Sequence, residues 1–172
     1  MTHLRAIGAQ AGQATASSFQ TILVPLDGSE MAPVVFMTAV EMAKLLTARL
    51  HLLRVLTIDP AFPPAAHTKP DGLEPMLAAD AQAELEKWMA AVVDVDFGPA
   101  QVVLGDPWRQ ILEVAKDLDA DLIVIGSHRY HGVERILGTV ASKVVNHADR
   151  DVLVVHRRDR VRSAPFEGPE PR

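Results

Sequence analysis

The chain contains no cysteine. That excludes a disulfide-stapled scaffold, a thiol nucleophile, and zinc or iron–sulfur sites built on thiolates. The same absence fits a reducing compartment, so a cytoplasmic location is the expectation. No run approaches the roughly 18 to 20 continuous apolar residues that a bilayer-spanning helix needs. Residues Met1 to Ser18 also lack the apolar core of a secretory signal. An excess of positive charge is missing as well: 17 Lys and Arg stand against 22 Asp and Glu, a formal charge of −5. Neither nucleic acid nor an anionic membrane is therefore an expected partner. The GxGxxG and Gly-Lys-Ser/Thr signatures of two nucleotide-binding classes do not occur. Nor does the GxSxG elbow of α/β hydrolases, or the paired acidic residues with a downstream lysine of phosphoacceptor receivers. No internal repeat is visible.

What is present suits one folded domain. Hydrophobic residues make up 48% of the 172 and charged residues 23%, which sets aside disorder as the main state. Residues 1–18, rich in Ala, Gln, Gly and Ser, read as a flexible leader. Residues 158–172 read as a disordered tail, entered through a basic stub of Arg157, Arg158, Arg160 and Arg162. The domain proper is expected over 19–157. Within it, short apolar runs alternate with stretches of helical period. Thr21–Leu26, Leu50–Leu56, Gln101–Leu104, Leu122–Ile125 and Asp151–Val155 read as strands, without the alternation of a half-exposed sheet. Between them, Met31 to Leu46, Leu73 to Val93, a stretch opened by Asp106 and Pro107, and one carrying Val140, Ala141, Val144, Val145 and Ala148 read as helices. Ser29 and Asp106 are placed to cap two of these helices. The proline-rich stretch Thr57–Asp71 reads as a loop. Continuous Val/Ile/Leu strands imply burial on both faces, hence a parallel sheet. The expected fold is α/β, a three-layer doubly wound domain with five strands.

In such sheets ligands bind beyond the carboxyl ends of the strands, where the strand order reverses. Asp27, Gly28 and Ser29 follow the first strand. A carboxylate there can accept hydrogen bonds from ribose hydroxyls or an adenine amino group, or serve only the turn. Gly126, Ser127, His128, Arg129 and Gly132 follow the fourth. Small residues at 126, 127 and 132 let backbone N–H groups approach an anion, while Gly138-Thr139 opens a helix whose N-terminus favours negative charge. This is a phosphate cradle in principle, and plain turn chemistry is the alternative. His128 and His131 have a spacing that could chelate a metal, but no third ligand is nearby and an exposed polar loop accounts for them. Trp88 and Trp108 fall on helical stripes and are expected to pack in the core. His51 and Arg54, inside the second strand, are expected at the rim of the sheet or a dimer face.

Three separated segments, TILVPLDGSE, GDPWRQIL and DLIVIGSHRYHGVERILGTVASKVVNHADRDVLVV, together resemble the universal stress protein family, and the resemblance spans Phe19 to about Arg157. It implies the adenine nucleotide α-hydrolase-like sheet of order 3-2-1-4-5. It also implies a homodimer, commonly formed by antiparallel pairing of the last strand, here Asp151–Val155. Many members bind ATP through Gly-x2-Gly-x9-Gly-Ser/Thr. Gly126 matches the first glycine and Gly138-Thr139 the last pair. Arg129 stands where the second glycine belongs, and the spacing to Gly138 is one residue short. A side chain at 129 either blocks the phosphates or pairs with them through its guanidinium. By resemblance Asp27, with Pro25, Leu26 and Val55, would hold the adenosine end. Gly126, Ser127, His128, Arg129, Gly132, Gly138, Thr139 and Val140 would line the ribose and phosphates. The ligand implied is ATP, with or without Mg2+, or AMP or another adenine nucleotide, and no metal site of the protein's own is expected. The function implied is that of a dimeric regulatory protein in the stress response, with protein partners unknown. Two other readings stay open: a weak ATPase, and a dimeric interaction module that binds no nucleotide.

Overall fold

The computed structural model describes residues 19–57, 73–127 and 138–156. The leader, the proline-rich loop, the tail, and the loop carrying His128, Arg129, His131 and Gly132 lie outside the described residues. The elements run β1 (Thr21–Pro25), α1 (Ala32–Leu46), β2 (Arg49–Leu56), α2 (Leu73–Ala90), β3 (Gln101–Leu104), α3 (Pro107–Asp117), β4 (Leu122–Gly126), α4 (Thr139–His147) and β5 (Asp151–Val155). The strands form one parallel sheet in the order β3-β2-β1-β4-β5. The doubly wound parallel sheet is the one expected from the alternating runs, and its order is the one the family resemblance implies.

Both faces of the sheet are covered, which is why its strands are apolar throughout. Ile22, Val24, Leu50, Leu52, Leu122 and Val124 point to α1 and α2, where Phe36, Ala39, Leu85 and Trp88 complete one core cluster. Phe36 meets Trp88 edge-on at 4.9 Å, a favoured aromatic geometry. Leu23, Leu53, Ile123 and Ile125 point the other way, to Ile111, Val114 and Ala115 of α3 and Ala141 and Val144 of α4. The side chains on the two faces come from alternate residues of the same strands, as the two-residue strand period demands.

Several local expectations need correction. Helix α2 ends at Ala90, short of Val93, because the β-branched pair Val92-Val93 is followed by Asp94 in the left-handed region at φ 62°. Neither expected cap bonds as a cap: α1 has Met31 at its N-cap position and α3 has Asp106, and neither helix has a side-chain cap hydrogen bond. Ser29 acts one step earlier, its Oγ accepting from the Met31 N–H at 3.2 Å. Trp88 is buried as expected, but Trp108 is half-buried at the α3–α4 boundary, its ring 4.8 Å from that of His147. His51 and Arg54 are not at a rim. Both are buried, since β2 lies inside the sheet between β1 and β3, so its side chains face the helix layers.

The amino end of the sheet is tied by side chains. Asp121, just before β4, accepts the N–H groups of Gln20 and Thr21 at 2.7 and 2.9 Å and so fixes the start of β1. Arg150, just before β5, donates from Nη1 to the carbonyls of Ala115 and Ala120 at 2.6 and 2.8 Å. Those carbonyls belong to the last turn of α3 and the loop after it, where carbonyls run out of helical partners.

Candidate functional site

At the opposite end, a cavity of about 360 Å³ opens between the carboxyl ends of β1 and β4. That volume is within the range of small-molecule sites. Its position follows from topology. The chain leaves β1 toward β2 on one side and reaches β4 on the other, so the crossovers diverge there and leave a crevice. Pro25, Leu26 and Asp27 line it from the end of β1, Val55 and Thr57 from β2, and Ile125 and Gly126 from β4. Met31 and Ala32 line it from the start of α1, Pro107 from the start of α3, and Gly138, Thr139, Val140 and Ala141 from the start of α4.

Three helix N-termini thus converge on one crevice, and α1, α3 and α4 all begin without a side-chain cap hydrogen bond. The first N–H groups of a helix have no intrahelical acceptor, and the helix dipole makes that end positive. In α1 and α3 a proline stands in the first turn and carbonyls of Ser29 and Asp106 already take the N–H groups of Ala32, Arg109 and Gln110, so the start of α4 is the one best placed to serve an anionic group. Asp27 supplies the opposite character on the β1 side. Its Oδ1 accepts the Ser29 N–H at 3.0 Å, which folds Asp27-Gly28-Ser29 into a tight turn. Gly28 holds φ +72° in that turn, a conformation that side chains with a Cβ rarely adopt. One wall is therefore a carboxylate on a fixed turn and the other a set of helix starts. Such a pairing can take a hydroxyl-bearing polar group and an anion at its two ends. The apolar floor of Val35, Ile111 and Ile125 offers room for a flat ring between them.

Of the residues expected to contact a ligand, the structure brings Pro25, Leu26, Asp27, Val55, Gly126, Gly138, Thr139 and Val140 together around this one cavity. His128, Arg129 and Gly132 lie outside the described residues. Ser127, also expected to contact the ligand, stands apart from this lining. It is buried; its N–H is bonded to the Val155 carbonyl at 2.9 Å, and its hydroxyl has no partner among the described residues. Gly126 is itself the last residue of β4, paired with Val155, and not part of the loop. Sequence reasoning missed Met31, Ala32, Val35, Pro107, Ile111 and Ala141. Ala32, Val35, Ile111 and Ala141 are buried residues of their helices and Met31 and Pro107 are half-buried at helix starts, and nothing in the pattern marks which turn faces a cavity. Among the described residues no group of three or more His, Asp or Glu could hold a metal ion.

A doubly wound sheet of this order, with an anion-compatible crevice at its switch point, defines a class of small α/β ligand-binding proteins. The family can be given more closely. The model of the universal stress protein family matches residues 18–156, and the chain belongs to that family. It is 30% identical over 147 residues to a universal stress protein of Synechocystis, covering 78% of this chain and 96% of that one. Among solved structures it resembles universal stress protein UspA of Lactobacillus plantarum with a TM-score of 0.62 at 29% identity, over 80% of this chain and 97% of that one. It also resembles a universal stress protein whose crystal structure holds cAMP, with a TM-score of 0.58 at 26% identity, over 80% and 97% of the two chains.

Proposed function

We propose that this protein binds an adenine nucleotide, ATP in the first instance, in the crevice between β1 and β4, and that it works as a regulatory binding protein and not as a fast enzyme. The observation that carries the reading is the convergence of Asp27 with the uncapped start of α4 on one cavity. The adenosine end lies toward Asp27, Leu26 and Val55, and the phosphates toward Gly126, Gly138 and Thr139. Binding of cAMP by a relative of the same fold supports an adenine nucleotide over other anions. A Mg2+ ion would travel with the nucleotide's phosphates, since the described lining offers one carboxylate and no ligand cluster. Rapid phosphoryl transfer needs a positioned water, a held metal and charge stabilisation together, and Asp27 is the one ionisable side chain among the described lining residues.

The reading includes a homodimer in the cytoplasm. β5 is an edge strand whose Val152, Leu153 and Val154 remain half-exposed in the single chain. An apolar edge of that kind invites pairing with a second copy. Among the described residues no helix is long and apolar enough to cross a membrane.

The test is nucleotide content. Protein purified without added ligand is denatured and the released small molecules are identified by chromatography and mass spectrometry, with calorimetric titration of ATP, AMP and cAMP alongside. Stoichiometric adenine nucleotide, or micromolar affinity for one, supports the reading. No released nucleotide and no heat with any of the three sinks it, and leaves the interaction module that binds no nucleotide.

A further inference from the structure

Arg54 is a charged residue buried on a sheet face that otherwise carries Leu50 and Leu52. Its guanidinium meets Glu84 and the turn at Gly28. Nη2 donates to Oε2 of Glu84, on α2, at 2.6 Å. Nη1 lies 2.7 Å from the point where a Cβ on Gly28 would stand, so the head of the side chain rests against the turn that follows Asp27. Nε is buried with no hydrogen-bond partner among the described residues.

This arrangement is costly. The arginine side chain is 10% exposed while its partner Glu84 is 40% exposed, so the cation has lost far more water than the anion. A buried ion pair is often no more stable than apolar side chains of the same size, and an unmade hydrogen bond adds to the cost. Stability therefore does not account for an arginine here. Its location does. A planar, rigid group held from behind by Glu84 fills the space beneath a turn whose backbone is already in the left-handed region, and so limits where Asp27 and Ser29 can move. Those two residues line the cavity; Arg54 does not.

We infer that Arg54 is a positioning residue for the adenine-nucleotide site and that, through Glu84, it ties helix α2 to the occupancy of that site. The inference rests on the nucleotide-binding reading above. A ligand held by Asp27 stiffens the turn, the turn confines the guanidinium, and the guanidinium holds Glu84. By linkage, whatever tightens the site when α2 is docked must also dock α2 more firmly when the site is filled. Helix α2 carries exposed Met76 and Leu77, so this coupling would place the record of occupancy on an outer apolar surface.

The experiment uses the full chain and the variants Arg54→Met, Arg54→Lys and Glu84→Gln. ATP binding is read by calorimetry, and amide hydrogen exchange across residues 73–90 is followed with and without saturating ATP. In the unmodified chain ATP is expected to slow exchange in α2 by about threefold or more. Arg54→Met should weaken ATP binding about tenfold while unfolding within a few degrees of the parent, with Arg54→Lys between them. Glu84→Gln should keep ATP affinity within about threefold but lose most of the α2 protection. Undiminished ATP affinity in Arg54→Met overturns the inference, as does an α2 whose exchange ignores bound ATP in the unmodified chain. If Arg54→Met does not fold, the exchange behaviour of Glu84→Gln decides. Heat of ATP binding without α2 protection removes this inference alone, whereas no heat in the unmodified chain removes the binding reading with it.

Discussion

The two ends of the sheet are built on opposite principles. At the amino end, polar backbone groups meet side chains: Asp121 takes the N–H groups that start β1, and Arg150 takes the carbonyls where α3 finishes. At the carboxyl end, three helices start without side-chain caps around a cavity, and a glycine at φ +72° sits over a buried guanidinium. A capped helix start is typically about 1 kcal/mol more stable than an uncapped one. Leaving α4 uncapped there, while the other end is bonded closely, separates the labour: the amino end holds the fold and the start of α4 keeps donors for a ligand.

Substitutions at the two ends should therefore dissociate binding from stability. The largest effect is expected for Gly138→Asp. The new carboxylate can cap α4, so the unfolding midpoint should hold or rise, yet it places negative charge where the phosphates belong. Loss of ATP affinity of about a hundredfold, near 2.7 kcal/mol, is expected in a calorimetric titration. Unchanged affinity would mean that α4's start is not the phosphate site. Arg150→Ala should do the converse. Two carbonyls lose a charged donor that is 12% exposed, at a cost of about 3 kcal/mol. Thermal unfolding should fall by roughly 6 to 12 °C, with ATP affinity unaltered. A matching loss of affinity would break the division between the ends. Asp121→Asn is milder, because a neutral carbonyl oxygen can still accept. About 1 kcal/mol is expected from chemical denaturation at neutral pH.

How far this division could be read in the residues depends on whether the reason is local. Gln101–Leu104 and Asp151–Val155 are strands with the same bounds in sequence and structure, because a short run rich in valine and flanked by turn signals admits little else. Asp27, Gly126, Gly138 and Thr139 follow from the rule that ligands meet strand ends, and Val55 only from the family resemblance. Val35 and Ile111 follow from neither, since the apolar stripe that packs a helix is the same stripe that floors the cavity at its first turns. Gly126 has a second explanation that spacing conceals: a Cβ there would come within 2.9 Å of Val35 Cγ2, so the approach of α1 demands glycine whether or not a phosphate is bound. Arg54 was expected at the rim of the sheet or a dimer face. Its partner Glu84 is 30 residues away on another element, and no local pattern announces such a pair.

His51 is the exception within the amino end, and it gives the smallest and most exposing test of the comparison. Its ring is buried beside Gly98, where a Cβ would come within 2.1 to 2.5 Å of the ring atoms, and Nδ1 has no hydrogen-bond partner among the described residues. Burial, with Arg49 adding to it and Asp96 opposing it, pushes the imidazole pKa below its ordinary 6.5. The unfolded chain then binds the proton more readily than the folded one, so ν_U exceeds ν_N and stability increases with pH. The contribution is fully present above 6.5 and is lost as the pH falls through that value toward the lower folded pKa. Denaturation between pH 8 and 5 should show the parent losing more stability than His51→Leu, whose side chain does not titrate. A ring resonance of His51 that titrates at or above 6.5 in NMR would overturn the assignment. A lower midpoint would instead show that the bonded end of the sheet keeps one unmet polar group, which acid finds before any change reaches the cavity.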